Sequence, residues 1–473
     1  MITSAYINGQ WLGKEKTFAV NNPFDGTEIA QVADCSQQDA ADAIDAAANA
    51  FKIWSKYSAG KRSRILKKWY NLQKENVDRL GELLTREQGK PIKEAKGEVL
   101  YGASYVEWFA EEAKRIYGDV IPGHGSDKRI TVIKQPVGVV AAITPWNFPN
   151  AMITRKISPA LAAGCTVVLK PSEYTPLSAL ALVDLADKAG FPPGVINIVT
   201  ASKPDSIGNE FTSNPKVKKI SFTGSTRVGK LLLRQSADQV KKVSMELGGN
   251  APFIVFDDAD MAEAVDACIA SKFRNAGQTC ICTNRIFAHE SIHDEFVSKL
   301  SEKIGKLKLG DGMEEGTDIG PMINEAAVAK DISLIEQAKE KGAIVTIGGT
   351  RKEGLLFSPT LISELDKSMD IYSSEIFGPV AAVYKFSDEA EVITQANNTN
   401  YGLAAYFYGR DYAKIWRVAE ALEFGMVGIN TTMISSPVSP FGGIKESGFG
   451  REGSKYGIED YLNIKSMIWG GVK

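Results

Sequence analysis

One stretch limits the fold more than any other: Val137-Gly138-Val139-Val140-Ala141-Ala142-Ile143 contains no polar side chain. A strand with one wet face alternates, whereas an unbroken apolar strand is covered on both faces, as in a parallel sheet between two helical layers. The flanking pattern agrees. Strand-like runs at 166–169, 195–199 and 219–222 alternate with helical periodicity over 152–162, 177–189 and 227–235, which is the winding of successive βαβ units. A second set begins near Glu246, with strands at 252–256, 284–288, 343–347, 380–384 and 404–408 and helices over 261–273, 325–339 and 389–396. At 473 residues the chain exceeds what one core accommodates. The prediction is an α/β protein with two doubly wound domains. Ahead of them, Asn8-Gly9 between apolar residues predicts a β-hairpin. Periodic apolar residues predict helices from about Gln37 to Gly60, then over 61–87 and 91–116, with Pro91 in a first turn. At the far end, residues 460–469 alternate like a strand that stands alone and needs a sheet edge, in this subunit or another.

Composition removes several function classes. The net charge is −2, so there is no basic excess for nucleic acid. No apolar run approaches the ~20 residues that cross a bilayer, and the first residues lack a basic head and apolar core, so no secretory signal is expected. Five cysteines in so long a chain make no disulfide framework. The cytoplasm is the expected compartment. His124, His289 and His293 have no metal-ligand spacing, so no metal is expected, and their scarcity argues against a Cys-His or Ser-His pair.

The reactive candidates cluster in Phe273-Arg274-Asn275-Ala276-Gly277-Gln278-Thr279-Cys280-Ile281-Cys282. A thiol here is either a nucleophile activated as thiolate or a small packed residue. Two glycine patterns compete for attention. Gly448-x-Gly450-x-x-Gly453 matches a dinucleotide fingerprint in letters, but follows no strand and opens no βαβ unit. Gly224-x-x-x-x-Gly229-Lys230 approaches a P-loop, but Leu231 replaces the metal-binding hydroxyl. What remains is a strand, a glycine turn and a helix start at Ser225, where N–H groups can meet a phosphate. Thr144-Pro145-Trp146-Asn147-Phe148-Pro149 and Leu169-Lys170-Pro171-Ser172-Glu173 end two strands at the same sheet edge, where α/β proteins place ligands. Asn147 offers an amide donor for an oxyanion. Glu246, beside Leu247, Gly248 and Gly249, and Glu375 near Phe377 offer carboxylates.

In this order and with these spacings, 144–149, 170–173, 222–225, 246–250, 277–280, 375–379 and 440–443 resemble the aldehyde dehydrogenase superfamily, over nearly the whole chain. Within it, 151–156, 271–282 and 450–457 are most similar to the succinate-semialdehyde dehydrogenases. The resemblance implies Cys280 as nucleophile, Asn147 as oxyanion donor and Glu246 as general base for deacylation. It implies an NAD cofactor, with NADP left open, against Thr144, Trp146, Lys170, Ser172, Glu173, Gly224, Ser225, Leu247, Glu375 and Phe377. Glu173 favours NAD because a carboxylate near the ribose 2′ position repels a 2′-phosphate. It further implies that Arg155, Arg274 and Ser436 hold the distal carboxylate of a small aldehyde. Succinate semialdehyde is the leading substrate, with glutarate semialdehyde or another aldehyde as the alternative and a P-loop-like nucleotide-binding protein as the remote one. Cys282 is implied as a redox partner of Cys280. The expected division is a cofactor domain (1–119 and 137–247), a catalytic domain (248–453) and an oligomerisation arm (120–136 and 454–473) that builds a homodimer or homotetramer.

Overall fold

The computed structural model describes residues 1–472. The apolar run becomes the strand Val139–Ile143, central in an eight-stranded sheet. It lies between Thr166–Lys170 and Val217–Thr223, parallel to both. Lys242–Glu246 extends the parallel set on one side and Ile196–Ile198 on the other. Every residue of the helix Ala151–Ala163 is buried, as a helix trapped between a sheet and a second helical layer must be. The Asn8-Gly9 hairpin forms with Ile7 opposite Gln10, and both turn residues adopt positive φ, the geometry of a two-residue hairpin.

A second sheet of seven strands, parallel except at one edge, holds Ala251–Val255 beside Thr283–His289 and Ala404–Tyr408. Its residues form a separate apolar core. A third, antiparallel sheet pairs Leu462–Trp469 along its full length with Arg129–Pro136, which also pairs Asp119–Pro122. The terminal strand therefore has a partner within its own chain, and its outer residues Ile464, Ile468 and Trp469 stay exposed.

Two expectations change. The helix predicted over 61–87 is two helices, Ala59–Glu75 and Val77–Gln88, which meet at Asn76 with φ −111° and ψ 18°. The segment after 440 does not stay with the second sheet: Gly448–Phe449 pairs with Met245 and Glu246 on the edge of the first. The glycine-rich letters there mark an edge strand and its turns. Sequence periodicity also missed the hairpin Thr17–Asn21 with Glu28–Ala33 and the helices Pro204–Ser213, His293–Ile304 and Tyr412–Ala421. Among the described residues, no helix is long and apolar enough to cross a membrane, and none group as a metal site.

Candidate active site

Cys280 sits where the two large sheets meet. The helix Met261–Lys272 ends, and Asn275, Ala276 and Gly277 then take left-handed φ values of 51°, 54° and 74° in succession. Such a run in non-glycine residues is strained backbone of the kind held at functional sites. At Gly277 a side chain is excluded outright, because a Cβ would lie 2.1 Å from the Gly378 carbonyl oxygen. The loop is tied down by Gln278, whose side chain accepts from the Ile323 N–H at 2.9 Å, and by Tyr406, whose hydroxyl donates to the Ile281 carbonyl at 2.8 Å. The loop also packs onto Gly249, where a Cβ would meet the Cys280 carbonyl oxygen at 2.3 Å.

Two cavities reach Cys280 from opposite sides and share Phe148 and Met152. The first, about 280 Å³, is walled by Trp146, Asn147, Gly224, Ser225, Leu247 and Phe377 among others. The Trp146 and Phe377 rings meet edge to face at 5.7 Å. At the far end of that cavity Ser225 caps the helix Thr226–Ala237, so N–H groups and a positive helix end face the space. Glu375 lines it as well and accepts from the Gly249 N–H at 2.8 Å; burial pushes its carboxyl up to about 7. The second cavity, about 310 Å³, has Tyr101, Arg155, Arg274, Met433, Ser435 and Phe441 in its wall.

Burial, with the Glu375 carboxylate adding to it, pushes the Cys280 thiol up to about 12, against the pull of Arg155. Asn147 is buried and its side-chain amide donates to the Gln278 carbonyl at 2.9 Å, two residues before the thiol. Glu246 ends its strand as a buried carboxyl whose Oε2 has no partner. Burial and the nearby Glu452 raise its pKa well above the carboxylate range, with Lys156 and Arg155 opposing. Glu246 lines neither cavity; Gly442 covers it so closely that a Cβ there would lie 2.9 Å from Oε1.

Four of the expected cofactor contacts lie further along the same sheet edge, outside the first cavity. Lys170 reaches Glu173 at 3.2 Å, Ser172 is buried beside them, and the Thr144 hydroxyl is buried without a partner. Glu173 instead faces a larger groove with Asn21, Asn22, Tyr174 and Asn324. Lys230, the lysine of the near P-loop, pairs with Glu446 at 2.7 Å on the surface, away from any phosphate cradle.

The expected substrate contacts divide. Arg274 is exposed, stands 5.3 Å from the Phe148 ring centroid and forms no ion pair among the described residues. Arg155 is fully buried and already committed. Its Nη2 lies 2.9 Å from Glu452 Oε2, and its guanidinium stacks 3.9 Å over Phe441. The picture of two free guanidiniums is corrected by that ion pair, which also takes Lys156 at 2.6 Å. Ser436 is corrected too: Ser435, bonded to the Tyr101 hydroxyl, is the serine in the cavity wall. Cys282 is a free, buried thiol that lines neither cavity. It contacts the carbonyls of Lys272 at 3.5 Å and Thr283 at 3.4 Å, and is not bonded to Cys280. Sequence reasoning missed Glu452, Lys156, Tyr101 and Ser435 as site residues. Lys156 and Glu452 lay inside quoted motifs, but nothing local marks a pair 296 positions apart.

A model of the aldehyde dehydrogenase family matches residues 11–467. The chain is 56% identical over 470 residues to an Escherichia coli (strain K12) protein named as an NADP(+) succinate-semialdehyde dehydrogenase, covering 98% of this chain and 97% of that one. It is 57% identical over 465 residues to a glutarate-semialdehyde dehydrogenase of Pseudomonas putida, covering 98% and 97%. A crystal structure described as an E. coli NADP-dependent enzyme matches with a TM-score of 0.98 at 56% identity, over 99% of this chain and 98% of that one. No relative among these is a P-loop protein, and that reading is left without support.

Proposed function

The chain belongs to the aldehyde dehydrogenase family, and on that premise we propose that it oxidises succinate semialdehyde to succinate with a nicotinamide dinucleotide. The observation that carries the substrate is Arg274, an unpaired guanidinium in the wall of the cavity that opens onto Cys280. A carboxylate at the far end of a short aldehyde would meet that cation while its carbonyl carbon lies at the sulfur. Arg155 supports the same end indirectly, by shaping the wall with Phe441 and Tyr105.

The residues fit a dinucleotide. The first cavity offers flat aromatic walls at Trp146 and Phe377, a capped helix start at Ser225, and the buried, unpartnered hydroxyls of Thr144 and Thr223 nearby. A bound nicotinamide would accept the hydride released at the substrate carbon. The protein's own residues do the rest. The Cys280 thiolate adds to the aldehyde carbon, and the carbonyl electron pair becomes an oxyanion beside the Asn147 amide and the Cys280 N–H. Loss of hydride leaves a thioester on Cys280. Glu246 then takes a proton from water, the water oxygen bonds to the thioester carbon, and the acid leaves as the C–S bond breaks. For the cofactor, Glu173 argues for NAD, while the printed name of the E. coli relative carries NADP(+). Lys170 partly offsets the Glu173 charge, so we infer use of both dinucleotides with NAD preferred. The arm sheet, with its exposed outer strand, is the surface we assign to subunit assembly.

The test is a panel of succinate semialdehyde, glutarate semialdehyde and butanal, each with NAD and NADP, followed by nicotinamide absorbance. Succinate semialdehyde is expected to give the highest kcat/KM. Equal values for it and butanal would remove the proposed substrate class, and a higher value for glutarate semialdehyde would move the reading to the longer acid.

A further inference from the structure

We propose that Lys90 is a positioning residue for the oxyanion donor Asn147, held in place by Glu98; this rests on the reading of Cys280 as nucleophile and Asn147 as its oxyanion partner. Lys90 follows the helix Val77–Gln88 and carries a completely buried side chain. Its ammonium donates to Glu98 Oε2 at 2.6 Å and to the Asn147 backbone carbonyl at 2.7 Å, and lies 3.8 Å over the Phe148 ring. A lysine has three donors and a long flexible stem, and here two donors and the ring attraction converge on consecutive residues of one loop. Packing alone does not account for this: an apolar side chain of the same length would fill the space without the desolvation of a cation.

Glu98 is fixed by the same loop. Its Oε1 accepts from the Asn150 N–H at 2.8 Å and the Ala151 N–H at 3.1 Å, which lie at the start of the helix Ala151–Ala163, where an acid is favoured. The pair therefore grips residues 147–151 at both ends. The Asn147 carbonyl also accepts from the Asn275 side chain at 3.0 Å, and the Asn147 amide returns a bond to Gln278 at 2.9 Å. Lys90, Asn147 and the loop that carries Cys280 form one connected network. A second consequence follows from placement. Glu94 and Glu98 both lie in the wall of the second cavity, where free carboxylates would repel an acidic aldehyde. Lys90 neutralises Glu98, and burial pushes the Glu94 carboxyl above its ordinary range toward the neutral form.

The experiment is a double-substitution cycle in the full-length protein, measured on whichever aldehyde the parent turns over fastest, so that an error in the substrate does not touch it. Lys90→Met is expected to lower kcat roughly 10- to 100-fold, the cost of a misplaced reacting group, with the KM for aldehyde and the Kd for reduced dinucleotide unchanged. In an Asn147→Ala background the same substitution is expected to cost less than about threefold more, because the two act through one contact. Parental alkylation of Cys280 by iodoacetamide confirms an intact loop. Where Lys90→Met does not accumulate as folded protein, Lys90→Gln keeps a neutral donor, and the same outcomes decide. An unchanged kcat, or equal losses in both backgrounds, overturns the proposal.

Discussion

Replacing Arg274 by alanine tests the substrate reading most directly. The guanidinium lines the cavity, meets only the Phe148 ring and has no carboxylate partner to strand, so its removal leaves no buried charge behind. A hydrogen bond to a charged group contributes about 1.5–3 kcal/mol. Arg274 is exposed, so water and salt screen it and the lower half of that range applies. About 1.5–2 kcal/mol corresponds to roughly 10- to 30-fold in kcat/KM. That loss is expected for succinate semialdehyde and not for butanal, which has no charge to lose. The assay is initial-rate kinetics on both aldehydes at low and moderate salt, with the selective loss shrinking as salt rises. Arg155→Leu is the contrast. It takes from Glu452 one of its two cations and unstacks Phe441, and breaking a buried pair costs about 3–5 kcal/mol of stability. Lys156 remains, so the lower end is expected, with both aldehydes affected alike. The reasoning fails if Arg274→Ala slows butanal as much as succinate semialdehyde, or if the selective loss follows Arg155 instead.

Glu246→Gln is expected to keep the first turnover and lose the later ones: a burst of reduced dinucleotide near one per active site, then a steady rate lower by roughly 10²- to 10⁴-fold. Because burial and Glu452 raise the Glu246 pKa, the base form appears only as pH rises, so parental kcat should climb from neutral into alkaline pH; a slope that survives Glu246→Gln would assign it to another group. The Cys280 thiol, pushed up to about 12 by burial and Glu375, should react with iodoacetamide about tenfold faster per pH unit between about pH 7 and 10 in the ligand-free protein, since only thiolate reacts; a flat rate would mean the thiolate is already formed. Cys282 turns toward the Lys272 carbonyl, so Cys282→Ala should leave dithiothreitol recovery after peroxide as it is in the parent, and recovery that depends on Cys282 would restore the redox pairing with Cys280.

What could be read from the sequence follows from how far each signal reaches along the chain. The strand Val139–Ile143 declared itself because burial on both faces leaves its mark on consecutive residues. Asn8-Gly9 declared its turn because two adjacent residues must both take positive φ. The break at Asn76 did not, since apolar periodicity continues through it and neither proline nor glycine stands there. The site divides the same way. Cys280, Asn147 and Glu246 stood out through their local motifs. The partner of Arg155 did not, because Glu452 reaches it only after Gly448–Phe449 docks on the edge of the first sheet. Ser435 and Ser436 differ by one position, and only the path of a loop without regular structure decides which one faces the cavity. Cys282 is likewise two residues from the nucleophile, yet its direction is set by the last turn of the preceding helix.

The distribution of these groups over the fold also explains how one chemistry can serve different aldehydes. Asn147 and Glu246 come from strand ends of the first sheet, and Cys280 from a loop entering the second. The reacting geometry therefore depends on the contact between the two, which is fixed by Gly249 against Cys280, the Asn147 bond to Gln278 and the buried Lys90–Glu98 pair. The groups that meet the far end of the substrate belong to other segments: Tyr101 on a helix, Arg274 before the left-handed turn, and Met433 and Ser435 on a loop beyond the second sheet. None of these holds Asn147, Glu246 or Cys280 in place. Exchanges among them can change the length and charge of the aldehyde accepted while the attacking sulfur, the oxyanion donor and the base stay where they are, which is the physical basis on which succinate- and glutarate-semialdehyde enzymes can share more than half their residues with this chain.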